Sequence, residues 1–328
     1  MKQLGVFKDN KDGTIKTVFE TNDGVIEMSL LMNKEDKDVL CVPTHHFCNM
    51  GCKMCHLTNN KLNKKMVAIN IDNFLYCLVK SVNNMMGFRR TKKNKLLISF
   101  MGVGEPLLNI DLIEKVYKNE YYIKERCGYE DISYALATMM PNDNIMKLKD
   151  IANKNNIPIK IHFSLHNPID LKRKELIPNT KVSVEEGLNY FDDYRKTIMS
   201  NKIIMNNYSK FHRTNDLIEI HYTLIDNVND GDVELNAMID LLKKYKVSIK
   251  FIKFNPTKTM LISKNEDKWI TKLKKEIPDL RIKIYSPPGK EVGSSCGEFT
   301  KHYYHEEIES KKDLLEFENW VKTYQIFD

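Results

Sequence analysis

The chain has 328 residues, 42% of them hydrophobic, and a formal net charge of +7. That length holds one large α/β domain or two modest ones around a real core, and no apolar run approaches the length of a membrane span. The N-terminus, Met1-Lys2-Gln3-Leu4-Gly5, has no signal-peptide h-region, and seven cysteines with three clustered do not read as an extracellular disulfide framework. A reducing cytoplasm is the expected compartment, with no membrane partner. The positive charge suits a polyanion such as RNA, but Lys-rich proteins are often merely soluble, so charge alone decides nothing.

In chain order, Thr14–Glu20 and Val25–Leu31 read as strands joined through Asn22-Asp23-Gly24, a strong hairpin signal. Asp38–Thr44 is a short strand running into a cysteine-rich loop. Ile71, Phe74, Leu75, Leu78, Val79 and Val82 then repeat at helical spacing, with Cys77 as filler. Strands follow at Lys95–Phe100, Asp131–Ala137, Pro158–Ser164, Leu217–Ile225 and Val247–Phe254. Helices separate them, beginning near Asp111 and Asn142, near Val184–Arg195, running through Leu242, and near Asp267–Ile277. About six β–α units predict an α/β fold, a parallel and partly open barrel, in which the loops after the strands carry the chemistry.

Cys48, Cys52 and Cys55 form a C-x3-C-x2-C run that turns three thiolates toward one point. Three soft ligands suit a [4Fe–4S] cluster with one iron left open. The rival is zinc, with His56 or a distant cysteine as fourth ligand. Gly102-x-Gly104-Glu105-Pro106 follows a strand directly. Its glycines permit close backbone approach to a ligand and Glu105 could accept from an ammonium, or the motif is a tight turn with a solvated Glu. His166, in Ser164-Leu165-His166, faces a ligand or satisfies a structural hydrogen bond. Asn255 offers an amide to a nucleobase or ribose edge, or makes an ordinary Asn-Pro turn. Cys296, in Gly293-Ser294-Ser295-Cys296-Gly297, sits among small residues and is a nucleophile, a redox partner or incidental. Cys41 is its candidate partner, and Cys127 has no motif around it.

Taken together, these residues resemble the radical S-adenosylmethionine RNA methyltransferases that modify adenosine in ribosomal and transfer RNA, the RlmN/Cfr type. The resemblance runs from about Asp12 to Phe299. It rests on the Cys41, Cys48, Cys52, Cys55 spacing, on Phe100 to Asn109, and on Ser164 to Pro168 with Arg173 and Ile177-Pro178. Val228-Asn229-Asp230, Phe254-Asn255-Pro256 and Ser295-Cys296-Gly297 complete it, all in the family's order.

The resemblance implies a partial (β/α)6 radical-SAM barrel over residues 38–300, with a β extension over 1–37 and a helical tail over 301–328. Cys48, Cys52 and Cys55 would hold the cluster, whose open iron S-adenosylmethionine would chelate. Gly104, Glu105, Ser164, Leu165, His166 and Asn255 match cofactor-binding positions. Two molecules of S-adenosylmethionine per turnover are implied. One methylates Cys296, and the other is cleaved to a 5′-deoxyadenosyl radical that abstracts hydrogen from the methylthioether. The resulting radical attacks an adenine ring carbon, carbon 2 favoured over carbon 8. Cys41 matches the cysteine that helps remove the ring proton and releases product as a disulfide with Cys296. Glu27 roughly matches a carboxylate proposed as proton acceptor. The implied partners are ribosomal or transfer RNA and an electron donor such as flavodoxin or ferredoxin, with the enzyme a monomer.

The departures are specific. Family members usually carry an N-terminal helical domain, and this chain begins almost at the β extension, so a docking partner in its place is one expectation. His56-Leu57-Thr58 stands where Ala-Thr-Gly is common, and Ala135-Leu136-Ala137-Thr138-Met139-Met140 where Ser, Thr and Gly are usual. Pro178-Asn179-Thr180 alters a Pro-x-Asn turn. The alternatives are a radical enzyme acting on a protein or small molecule, and an inactive RNA-binding relic.

Overall fold

The computed structural model describes residues 1–31, 36–59, 66–86, 94–213, 216–293 and 311–327. Its strands are β1 (Lys2–Lys8), β2 (Ile15–Thr21), β3 (Gly24–Leu31), β4 (Asp38–Val42), β5 (Lys95–Phe100), β6 (Asp131–Thr138), β7 (Ile159–Ser164), β8 (Ile218–Tyr222), β9 (Ser248–Ile252), β10 (Ile282–Tyr285) and β11 (Gln325–Phe327). The chain forms two units. One comprises Met1–Asn49, His56–Tyr134 and Pro288–Asp328, the other Met50–Cys55 and Ala135–Pro287, so the chain changes unit within β6.

In the first unit the strand order is β5-β4-β3-β2-β1-β11. The hairpin signal is met: Thr21 pairs with Gly24, leaving Asn22-Asp23 as a two-residue loop. β1 to β4 run antiparallel in sequence order, and β4 pairs with β5 in parallel. Alternation gives this sheet two different faces. Ile15, Phe19, Ile26, Met28, Leu30 and Leu40 occupy one face and are all buried. Helix Ile71–Met86 lies on it. The side chain of Asn70 accepts from the N–H of Asn73 at the helix start, and Phe74, Leu78 and Val82 form the buried stripe. Phe74 stacks on Phe100 at 6.0 Å, and Tyr76 meets Phe19 edge-on at 6.3 Å. The opposite face carries Phe7, Val18 and Val25, packed with Val292 and Trp320. β1 has no clean alternation in the sequence because its pairing with β2 shifts register between Gln3 and Gly5.

In the second unit the order is β10-β9-β8-β7, all parallel. Helices Val184–Ser200, Asp232–Tyr245 and Glu266–Glu276 follow the strands in the chain. The first begins with a capping box between Ser183 and Glu186. β4 to β9 are the six strands expected from the sequence, and β10 adds one more. Trp269, fully buried, anchors the β8–β9 region. It stacks on Tyr222 at 5.2 Å, meets Phe251 edge-on at 6.2 Å and donates Nε1–H to the Asp230 carbonyl at 2.9 Å. Trp269→Ala should lower stability by about 3–5 kcal/mol, read as a fall in the urea midpoint at unchanged slope.

Candidate active site

Within the first unit, the loop after β5 packs against the chain leaving β4. The N–H of Gly102 donates to the Val42 carbonyl at 3.0 Å, and that of Thr44 donates to the Val103 carbonyl at 3.0 Å. A Cβ at Gly102 would sit 2.7 Å from Pro43 N, and one at Gly104 would sit 2.5 Å from His45 Nδ1. Gly104 also has φ +106, where a side chain is strained. These glycines therefore let two strand ends touch just ahead of Cys48, Gly102 against the Val42–Pro43 backbone and Gly104 against the Thr44 and His45 side chains. Glu105 is buried, and its Oε1 accepts the N–H of Leu107 at 3.0 Å to cap a turn of 3₁₀ helix. Asn109 Nδ2 donates to the Thr44 carbonyl at 2.9 Å, closing the same loop. The motif does form a tight turn, with Glu105 buried in it and not solvated.

Of the three cysteines, Cys48 belongs to the first unit and Cys52 and Cys55 to the second. None of the three is in a disulfide. Gly51, at φ +69, bends the loop, and the N–H of Cys55 donates to the Cys52 carbonyl at 3.0 Å. The N–H of Lys53 donates to the Leu176 carbonyl at 3.0 Å, pinning the loop to helix Asp170–Leu176. Cys52 Sγ approaches Met139 Sδ at 2.9 Å. Three soft sulfur donors of this kind fit a metal–sulfur group.

In the second unit, Ser164, Leu165 and His166 leave the end of β7, and Asn255 stands half-buried beyond β9. Arg173, almost fully buried, donates to the carbonyls of Leu165 at 3.1 Å, Met139 at 2.6 Å and Ser164 at 3.4 Å. The main chain of His166 is left-handed at φ +53, and its carbonyl accepts from Asn229 Nδ2 at 2.6 Å. His166 Nδ1 accepts from the N–H of Thr223 at 3.2 Å. Burial, with Arg173 second, pushes this imidazole down to about 3. A neutral ring accepting at Nδ1 carries its proton on Nε2, so His166 presents a donor there. Thr138 Oγ1, the one hydroxyl of the altered strand end, accepts the N–H of Met140 at 2.9 Å.

Back in the first unit, Glu27 and Cys41 share a sheet face. Lys16 pairs with Ser29, Ser29 with Cys41 and Cys41 with Ser99, making one cross-strand row, with Glu27 two residues from Ser29. Burial pushes the Cys41 thiol up to about 11, Glu27 adds to the rise, and Lys16 opposes it. Cys296 lies outside the described residues. The second unit also holds a buried cluster that no motif announced, His162, Glu219 and His221, whose ligand atoms lie within 4.8 Å of one another. Glu219 is ion-paired to Lys250 at 2.7 Å, Lys160 at 3.5 Å and Lys283, so its charge is already answered by lysines.

Comparison with known proteins then decides the family. No family model matches the chain. The probable dual-specificity RNA methyltransferase RlmN of Finegoldia magna is 31% identical over 261 residues, covering 78% of this chain and 66% of that protein. The namesake from Thermotoga petrophila is 26% identical over 294 residues, covering 88% and 76%. The chain belongs to the RlmN-type radical S-adenosylmethionine family. A crystal structure of a radical SAM methyltransferase from Sphaerobacter thermophilus matches with a TM-score of 0.69 at 20% identity, covering 90% of this chain and 80% of that one. The likeness bears out the α/β partial-barrel fold. Among the described residues no helix is long and apolar enough to cross a membrane.

Burial holds the imidazoles of His162, His166 and His221 below their ordinary value. Below pH 6.5 the unfolded chain binds protons at these rings and the folded chain does not, so stability falls as pH falls. Each ring contributes at most about 1.4 kcal/mol per pH unit. The urea midpoint should therefore drop between pH 7 and 5, and less steeply in the double variant His162→Asn, His221→Gln.

Proposed function

We propose that this chain is a radical S-adenosylmethionine methyltransferase that methylates an adenine ring carbon of ribosomal or transfer RNA, carbon 2 before carbon 8, by way of a methyl carried on Cys296. Family membership supports RNA methylation of this general kind. The observation that supports the two-cysteine route is the shared face of Glu27 and Cys41, with the chain that leads to Cys296 bound on it. The carbonyl of Gly293, three residues before Cys296, accepts from Lys16, which also binds Glu27. The β2–β3 hairpin, β4 and the segment at Gly293 thus bring Lys16, Glu27, Cys41 and Gly293 to one sheet face, which supports this reading.

Cys48, Cys52 and Cys55 would hold a [4Fe–4S] cluster, and Gly104, Glu105, Ser164, Leu165, His166 and Asn255 would bind S-adenosylmethionine. When bound, the cluster and cofactor supply one-electron chemistry that yields a hydrogen-abstracting carbon radical. This chain's residues do the rest. Arg173 and Asn229 hold the Ser164–His166 turn, and His166 offers Nε2–H to a ligand. Cys41, with its thiol pushed up to about 11, is protonated at neutral pH. Glu27 would help take up the ring proton with Cys41. Cys41, deprotonated in that step, would then form a disulfide with the Cys296 sulfur as the bond from that sulfur to the nucleobase adduct breaks, its electron pair leaving with the carbon, which takes up a proton. A flavodoxin or ferredoxin would supply the electrons.

The test is anaerobic reconstitution with iron and sulfide, incubation with S-adenosylmethionine, and mass analysis of the peptide holding Cys296. A gain of one methyl or methylene there is expected. An unmodified Cys296 in protein that still cleaves S-adenosylmethionine would overturn the methyl-carrier route. Replacing Cys48, Cys52 or Cys55 singly by Ser should lose most of the bound iron, and full iron content in any of them would remove that residue from the ligand set.

A further inference from the structure

Lys16 is the second residue of β2, with its side chain 1% exposed. A buried ammonium persists only where acceptors surround it. Two are in place: Glu27 Oε2 at 2.6 Å and the Gly293 carbonyl at 2.5 Å. The Glu27 side chain is 8% exposed. Its other oxygen, Oε1, is buried and has no hydrogen-bond partner among the described residues. A carboxylate held by one oxygen with the second left open is poised to accept from something that arrives.

The chain around Gly293 is fixed from several sides. The N–H of Gly289 donates to Asp12 Oδ2 at 2.6 Å, and that of Glu291 to Asp9 Oδ2 at 2.9 Å. Trp320 Nε1–H donates to the Glu291 carbonyl at 2.7 Å, while Trp320 stacks on Phe7 at 5.0 Å. Val292 is fully buried against Phe7, Val18 and Val25. Lys16 is the last of these anchors toward the C-terminus among the described residues, and the only one that also binds a residue of the proposed chemistry. The pairing row Lys16, Ser29, Cys41 places the Cys41 side chain on the same face, two strands away.

We propose that Lys16 is a positioning residue: its ammonium binds Glu27 by one oxygen, leaves the other open, ties that carboxylate to the Gly293 carbonyl, and sets the charge that the Cys41 thiol faces. This rests on the methyl-carrier reading for its purpose, but the arrangement can be tested without turnover. The charged groups facing Cys41 across the sheet are Lys16 from β2 and Glu27 from β3, with the Met101 backbone donating nearby. Lys16 favours the thiolate and Glu27 disfavours it, so removing either should move Cys41 in opposite directions.

The experiment follows iodoacetamide labelling of the Cys41 peptide against pH, by mass spectrometry, in anaerobically reconstituted protein. Lys16→Met should slow labelling at a fixed pH below the thiol's titration by roughly tenfold, a shift of about one pH unit. Lys16→Arg should restore it, because a buried cation with several donors is what the site requires. Glu27→Gln, nearly isosteric, should speed labelling. Unchanged labelling in Lys16→Met, a Lys16→Arg protein as slow as Lys16→Met, or unchanged labelling in Glu27→Gln would each overturn the proposal. Should Lys16→Met fail to fold, Lys16→Arg and Glu27→Gln still decide it. Methylation of the Cys296 peptide in the wild-type protein is read separately, so failure of the methyl-carrier route and failure of the Lys16 assignment give different results.

Discussion

The guanidinium of Arg173 is the constraint on which the second unit's part of the site depends. A buried cation costs several kcal/mol unless its donors are satisfied. Arg173 meets that requirement with main-chain carbonyls from two strand ends, Met139 after β6 and Ser164 and Leu165 after β7. Hydrogen bonds to a charged group contribute about 1.5–3 kcal/mol each, so the turns and the cation stabilise one another. The same short helix receives the cysteine loop through Lys53 and Leu176. One side chain thus fixes the Ser164–His166 turn, the altered Met139 turn and the footing of Cys52 and Cys55. The left-handed main chain at His166 and Met140 is held in place by this network.

The first unit solves a different problem. Its sheet must bury a helix on one face and keep polar groups dry on the other. Strict alternation achieves this, with Ile15, Phe19, Ile26, Met28 and Leu30 turned to the helix and Lys16, Glu27, Ser29 and Cys41 turned away. A polar row of this kind survives only if something covers it. At Lys16 the segment 288–293 does so, arriving from far along the chain and fixed by Asp9, Asp12 and Trp320. The Gly293 carbonyl that accepts from Lys16 lies three residues before Cys296 in the chain.

Much of this was legible in the sequence, and the rest was hidden for physical reasons. The parallel strands showed as apolar runs, and the unusual residues at their ends marked the site loops, because a strand end is where regular packing stops. The family order of Cys41, the cysteine run, Gly104-Glu105 and Ser164-Leu165-His166 was readable since each stretch is local. β1 escaped because the register shift near Gly5 breaks its alternation. Lys16 escaped because a lysine between Ile15 and Thr17 looks like a solvated tip, and its acceptors come from residues 27 and 293. Gly102 and Gly104 suggested ligand approach, yet their nearest neighbours are Val42 to His45, and only tertiary packing reveals that. His166 left two readings open, and the structure supports the structural one at Nδ1 while leaving Nε2 a donor.

The central claim is that carbon passes through a cysteine before it reaches the nucleobase. The most direct measurement supplies S-adenosylmethionine bearing a trideuterated methyl group to the reduced, reconstituted protein with total transfer and ribosomal RNA, and examines the 5′-deoxyadenosine formed. If hydrogen is abstracted from a methyl carried on Cys296, the 5′-deoxyadenosine carries one deuterium, and Cys296→Ala protein yields none. Unlabelled 5′-deoxyadenosine from the wild-type protein during methylation of RNA would contradict the account.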